Sequence, residues 1–342
     1  LLEQEIFIIF YFGLNIIDWF AIVITIVLQT LFFTVGMQYN KKIINFSAMT
    51  VYAGMLIFFF VVLLSDVKIT TEAFSSIFNL NNFLDINNLA PLITVAGTIF
   101  AYFSILIISF GDFSRYVKNE QELKKGNLSL ILNLIIFSFL SVFIVIGSDV
   151  FLNQKFSDIE RIFTNPTDIV GKFDNIQITI VVLFFIIIAS ASTNLVANFI
   201  PSQYSLITFA PSILSLKSAS YLIAFFGLLI AIFWLTILSQ IGILSFVDTF
   251  GAFFGPLFGV MAADYYLIKN QELSNKDLYS IDKESAYYYS GGWHIKGVYS
   301  LILGFIFSAS TIWNTNLMFL QSYAWIIGAF VAWITYYLLA KK

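Results

Sequence analysis

The sequence contains no cysteine. Disulfides, thiol catalysis and cysteine-based metal sites are therefore excluded. It contains one histidine, His294, too few for a histidine-built metal site. Charge is scarce: Asp, Glu, Lys and Arg make up 11% of 342 positions, against about 25% in a soluble domain. No soluble domain, low-complexity tract or basic patch of the kind that binds nucleic acid is present. The net charge of −3 says little, because in a membrane chain the placement of Lys and Arg carries the information. The chain opens on Leu1 rather than Met, and Leu1 to Asn15 has no basic start and no small-residue cleavage site. It does not read as a signal peptide, and the expectation is an incomplete chain.

What the sequence has is apolar length. Hydrophobic residues reach 59% and aromatics 18%, with 40 Phe. This composition predicts an all-α polytopic membrane protein. Segments of about 20 apolar residues span ~30 Å of hydrocarbon. Nine are expected, at 19–37, 43–65, 91–111, 127–151, 176–200, 219–239, 242–268, 295–314 and 317–340. The opening Glu3 to Asn15 is apolar but short, and reads as an interfacial helix or the tail of a further span. With the C-terminus in the cytoplasm, the outside segments hold only Lys68, Lys155, Arg161 and Lys172, and the other 13 of 17 basic residues lie inside. That bias sets the orientation of a multi-pass protein of the cell membrane. The outer loops 66–90 and 152–175 are expected to form short surface helices.

Three stretches carry polar chemistry. In span five the hydrocarbon run Ile180 to Ile188 gives way to Ala189-Ser190-Ala191-Ser192-Thr193-Asn194-Leu195-Val196-Ala197-Asn198. At helical spacing Ala189 lies above Ser192 and Thr193, and Asn194 above Asn198. Lipid would leave this stripe unsatisfied, so it faces protein. It reads either as a site for a small polar solute or cation or as helix-packing glue. Span three holds Gly97, Phe103 and Ser109 and runs into Gly111-Asp112-Phe113-Ser114-Arg115-Tyr116. Gly97 predicts a break or a close approach. Asp112 and Arg115 are spaced for a local ion pair at an interfacial helix end. Span seven repeats glycine every four residues, Gly251, Gly255 and Gly259, a ridge for close packing. Pro256 within it frees a carbonyl near Ala252 and makes a kinked or flexible point. Asp248 lies near the boundary and is expected to be solvated. Asp264, followed by Tyr265 and Tyr266, is expected to anchor the interface.

Taken together, three motifs resemble the nucleobase–cation symporter family 1, which includes cytosine and purine permeases and the hydantoin transporter. They are Gly111 to Tyr116; Ser192 to Asn198 followed by Phe209-Ala210-Pro211; and Gly255 to Tyr266 followed by Tyr289-Ser290-Gly291-Gly292. The resemblance covers residues from about 15 to 340. It implies a LeuT-like inverted-repeat transporter fold of twelve helices, of which the nine spans would be helices four to twelve, the first three missing. It implies a secondary active symporter for a heterocycle of cytosine, uracil, purine, allantoin or hydantoin type, driven by Na⁺ or H⁺, with no cofactor. The partners are then a small heterocyclic solute, a coupling cation and the lipid bilayer, and the protein is a monomer. Carried over residue by residue, the sodium site falls on the Ala189 carbonyl, Ser192 and Thr193. The solute site falls on Phe103, where the family usually has Trp, on Asn198 with Asn194, and on Ser109. Asp112, Arg115, Gly251, Gly255, Pro256 and Gly259 take structural or gating roles. An amino-acid carrier of the same fold is the alternative. A membrane transferase would need catalytic acids, and His294 has no acid at helical spacing.

Overall fold

The structure, a computed structural model, describes residues 10–34, 37–65, 89–155, 176–233, 243–278 and 282–341, with positions 67, 68, 71, 72, 75, 85, 240 and 280. Most of the expected outer-loop helices, 66–90 and 152–175, fall outside the described residues, as do residues 1–9 and 234–239. Among the described residues, nine helices are long and apolar enough to cross a membrane. Backbone groups in hydrocarbon must bond within their own segment, and apolar runs of this length meet that demand only as helices. The chain is an all-α, multi-pass membrane protein.

The chain divides into two compact units, residues 1–84 with 112–232, and residues 85–111 with 233–342. The first contains α1 (Ile16–Thr34), α2 (Met37–Ser65), part of α4 (Phe110–Ser114), α5 (Glu120–Lys155), α6 (Ile176–Asn194), a π-helical turn (Leu195–Phe199), α7 (Ile200–Phe209) and α8 (Leu216–Phe233). The short α4 (Phe110–Ser114) carries the chain from one unit to the other.

α1 starts at Ile16, three residues earlier than the apolar pattern suggests. Asn15 caps it: its Oδ1 accepts from the N–H groups of Ile17 at 2.8 Å and Asp18 at 2.9 Å, and Asp18 accepts in return from the Asn15 N–H at 3.1 Å. Asp18 therefore belongs to the helix as half of a capping box rather than to the loop before it. The residues just before form a tight turn, with Tyr11 and Leu14 paired backbone to backbone. The described part of the Glu3–Asn15 segment is thus not a helix. The core of this unit gathers Phe33, Leu195, Phe199 and Ile200, and the Phe33 and Phe199 rings stack with centroids 4.2 Å apart. α2 comes close to α6 at Gly54, where a Cβ would stand 2.8 Å from the Phe185 ring.

The second unit is built from α3 (Leu89–Ile108), α9 (Ile243–Ala263), a π-helical turn (Asp264–Ile268), α10 (Asn275–Leu278), α11 (Ile295–Trp313), a 3₁₀ segment (Thr315–Tyr323) and α12 (Ala324–Ala340). The glycine ridge of α9 touches a neighbour's backbone at each step. Gly251 meets Ala101 of α3, and Gly255 and Gly259 meet the carbonyls of Trp325 and Ala329 on α12. Pro256 is buried between Gly304 of α11 and Gly328 of α12. Gly97 proves to be a close approach and not a break: α3 runs unbroken through it, against the Ser322 carbonyl. The break comes at Ser109, where α3 stops. The Ser308 hydroxyl of α11 donates to the Ala324 carbonyl at 2.5 Å.

Asp248 corrects the expectation of a solvated boundary residue. It is buried, 8% exposed, and accepts from Gln321 Nε2 at 2.8 Å. The 3₁₀ segment, packed on α11 and α3, supplies in Gln321 the partner that a buried carboxylate requires.

Candidate functional site

Within the first unit the polar turn of span five is assembled as a chain of amides. α6 stays α-helical through Asn194. The Ser192 hydroxyl donates to the Ala189 carbonyl at 3.1 Å, so two of the three expected cation ligands already touch one another. The helix then widens. The Ile200 N–H donates back to the Leu195 carbonyl, and Leu195–Phe199 forms a π turn. Such single-turn insertions are frequent at functional sites. Asn194 immediately precedes this turn and Asn198 lies in it. The expected pairing holds: Asn198 Nδ2 donates to Asn194 Oδ1 at 2.6 Å.

The chain extends to a residue that sequence reasoning missed. Asn194 Nδ2 donates to Gln29 Oε1 of α1 at 2.6 Å. A signal was available, because Gln29 is the only amide between Asp18 and Gly36, in an otherwise apolar run. An amide at that depth needs a partner on another helix. Its bond to Asn194 and Asn194's bond to Asn198 together orient all three carboxamides. Asn198 and Thr193 remain exposed on the surface of this unit, while Ala189, Ser192, Asn194 and Gln29 are half-buried. Asn198 uses one of its two N–H donors within the chain, which leaves donor and acceptor capacity for a ligand.

The signature segment after α3 docks on the same unit. Arg115 lies 3.9 Å from Asp112, at the limit of an ion pair, and its guanidinium carbon sits 4.2 Å from the centre of the Tyr204 ring on α7. The Tyr116 hydroxyl bonds the Tyr204 hydroxyl. The local ion pair read from the sequence is therefore the lesser contact, and Tyr204 is the residue on which both motif side chains converge. Burial pushes the Asp112 carboxyl above its ordinary range, opposed by the Arg115 charge. Burial, then the bond to Tyr204, raises the Tyr116 hydroxyl far above its ordinary value.

The remaining expected solute contacts belong to the second unit. Phe103 is half-buried and packs edge-on to Tyr102, centroids 5.3 Å apart. Ser109 forms the turn that ends α3. At one end of this unit stands a polar network that the sequence did not suggest. Tyr336, 1% exposed, donates its hydroxyl proton to Asp264 at 2.6 Å. Its oxygen lies 2.7 Å from His294 Nε2. With the tyrosine proton committed to the carboxylate, the imidazole must donate, which fixes the Nε2–H tautomer. Tyr289 stacks flat on the imidazole, 3.9 Å away and tilted by 11°. The turn that presents Tyr289 has left-handed backbone at Gly291 (φ 64°) and Gly292 (φ 89°), as its two glycines allow. Asp264 is thus a hydrogen-bonded member of a relay rather than a simple anchor, and His294 does have an acid, reached through Tyr336. Burial holds the imidazole below its ordinary 6.5, the Asp264 charge opposes this, and Lys269 and Lys296 reinforce it. Among the described residues no group of three or more His, Asp or Glu gathers to hold a metal.

Comparison with known proteins matches residues 9–336 to the family described as permease for cytosine/purines, uracil, thiamine, allantoin. The allantoin permease of Bacillus subtilis is 27% identical over 244 residues, 71% of this chain and 48% of the relative. The purine-uracil permease NCS1 of Arabidopsis thaliana is 25% identical over 255 residues, 71% of this chain and 41% of the relative. The hydantoin permease of Microbacterium maritypicum is 29% identical over 144 residues, 41% of this chain and 28% of the relative. The chain spans about half the length or less of these relatives. No solved structure matches it.

Proposed function

We infer, for a chain that belongs to the family of permeases for cytosine/purines, uracil, thiamine and allantoin, that it carries a nucleobase or related heterocycle across the cell membrane together with Na⁺ or H⁺. The observation that carries this reading is the amide chain Asn198–Asn194–Gln29, set in a π turn within an apolar span. A carboxamide offers one donor and one acceptor on neighbouring atoms. The edge of a pyrimidine, purine or hydantoin presents the complementary pair. Asn198 reads that edge in this proposal, and Asn194 and Gln29 hold it in orientation. The Ala189 carbonyl and the Ser192 and Thr193 hydroxyls supply neutral oxygens to a sodium ion, which suits a hard cation. Solute and ion bind near the midplane, and the two repeats of a LeuT-like fold rock about them. The protein works as a monomer with its C-terminus in the cytoplasm.

The test is uptake of labelled cytosine, uracil, hypoxanthine, allantoin and hydantoin into cells expressing the chain, with Na⁺ present, Na⁺ replaced by choline, or a proton gradient collapsed. Saturable uptake of one of them, dependent on one of the two cations, is expected. Saturable, cation-driven uptake of an amino acid with none of these heterocycles would overturn the assignment.

A further inference from the structure

The second unit holds a cavity of about 200 Å³ that the transport reading does not use. It lies where three spans reach the same boundary. The turn after α9 supplies Asp264 and Lys269, the start of α11 supplies His294 and Lys296, and the end of α12 supplies Tyr336 and Ala340. The Tyr289–Ser290 turn closes one side.

The charge balance of this cavity is unusual. Asp264 is its one acid, and that carboxylate already accepts the Tyr336 proton. Lys269 Nζ rests 4.6 Å from the centre of the Tyr287 ring. Among the described residues, neither Lys269 nor Lys296 enters an ion pair. Both ammonium charges are nonetheless felt at His294. Two cations and a titratable imidazole thus converge on one small volume against a single carboxylate, which leaves it net positive. Hydroxyl donors stand beside them in Tyr289 and Ser290, and Ile268 and Ile295 line its apolar part.

We propose that this cavity binds a phosphate group, held by Lys269 and Lys296 with hydroxyl donation from Ser290 and Tyr289. A phosphate of this kind is presented either by an anionic lipid headgroup or by free phosphate. The position at the ends of three spans favours the headgroup, since basic pockets between membrane helices take such lipids. The apolar residues then meet the glycerol and first acyl carbons. The proposal does not depend on which solute the chain carries.

Protonation of His294 adds a third positive charge to the cavity. The groups facing His294 are Asp264 and Lys269 from the turn after α9, Tyr289 from its loop, Lys296 from α11 and Tyr336 from α12. Affinity for a phosphodiester headgroup, whose own charge is constant in this range, is therefore expected to rise as pH falls through the histidine titration.

The test uses the full chain in nanodiscs of phosphatidylcholine, titrated with phosphatidylglycerol, and separately with inorganic phosphate. Bound lipid is counted by native mass spectrometry, and the resonance of the single histidine reports occupancy. Phosphatidylglycerol is expected to bind saturably and to raise the histidine pKa. Each of K269Q and K296Q should weaken it about fivefold and the pair about 25-fold, from roughly 1 kcal/mol per lysine. K269R/K296R should keep most of the affinity. Saturable binding and a histidine shift with inorganic phosphate alone, lost in K269Q/K296Q, would support the site with free phosphate as its ligand. The idea fails if neither probe moves the histidine resonance of the folded chain. It fails equally if K269Q/K296Q, with its histidine resonance unchanged, binds both probes as tightly as the parent.

Discussion

At the scale of single residues, two side chains give the most direct tests. If Asn198 reads the heterocycle edge, Asn198→Ala leaves the solute's polar groups unpaired. The expected cost is about 1–3 kcal/mol of binding, roughly 5- to 150-fold in affinity. Gln29→Leu touches no solute in this reading, but it frees Asn194 to turn and should weaken binding by a smaller factor, about 3- to 10-fold. Equal affinities for the parent and both variants in a binding isotherm would remove the amide chain from the site. His294 predicts a pH dependence of stability. Its folded pKa lies below the ordinary 6.5, mainly through burial. The folded state therefore prefers the neutral ring, and the unfolded chain binds the proton more readily. Stability from this group is complete above pH 6.5 and declines as pH falls from there toward the folded pKa. His294 is the only histidine. The midpoint of thermal unfolding should thus fall between pH 7 and pH 5.5 in the parent, and fall less in His294→Gln. The residues that sequence reading missed share a cause. Gln29 and Asn194 are 165 positions apart, and Tyr336 stands 42 from His294 and 72 from Asp264. Helical periodicity pairs neighbours within a turn or two and has no means of joining residues at such separations.

At the scale of elements, the spans were legible because apolar length is a local property. α11 follows directly from it, whereas the first residues of the span expected at 317–340 form the 3₁₀ segment and α12 begins only at Ala324. The departures from regular helix were not legible. Nothing in Leu195-Val196-Ala197-Asn198-Phe199 distinguishes a π turn from the α turn before it, since the choice depends on the helices packed around it. The Gly251, Gly255 and Gly259 ridge was readable as spacing, and the structure shows which backbones it admits. Gly259→Ala would set a methyl against the Ala329 carbonyl of α12. Helix backbones give way poorly, so a loss of about 1–3 kcal/mol is expected. Gly126 in α5 makes the contrast, because a Cβ there meets nothing within 4 Å. Gly126→Ala should stabilise by about 0.5–1 kcal/mol through helix propensity alone. Thermal unfolding in one detergent compares the two directly. Opposite signs are expected, and a neutral Gly259→Ala would show that α9 and α12 can part at this point.

At the scale of the whole molecule, the expected behaviour is ion-coupled transport. If Ala189, Ser192 and Thr193 hold sodium, Ser192→Ala or Thr193→Ala raises the Na⁺ concentration needed for half-maximal uptake and leaves the folded fraction unchanged. Full uptake by the parent in Na⁺-free buffer would assign the coupling to protons. Composition was enough to read a multi-pass membrane protein, and three short motifs were enough to read the family. The solute and the ion are set by orientations of a few side chains, which neither composition nor motif encodes. The π turn adds a point about heredity. It holds one residue more than a regular helical turn needs, so it tolerates a deletion of one codon between Leu195 and Phe199. The deletion turns the π turn into a regular α turn, so the helices on either side keep their relative orientation. α7 stays tied down by the Gln203 bonds to Leu216 and Ser220 and α6 keeps Asn194 on Gln29, so the change falls on the turn itself, where Asn198 lies. An in-frame loss of three nucleotides within the turn would therefore reset Asn198 against a fixed Asn194 and leave the helices around them in place.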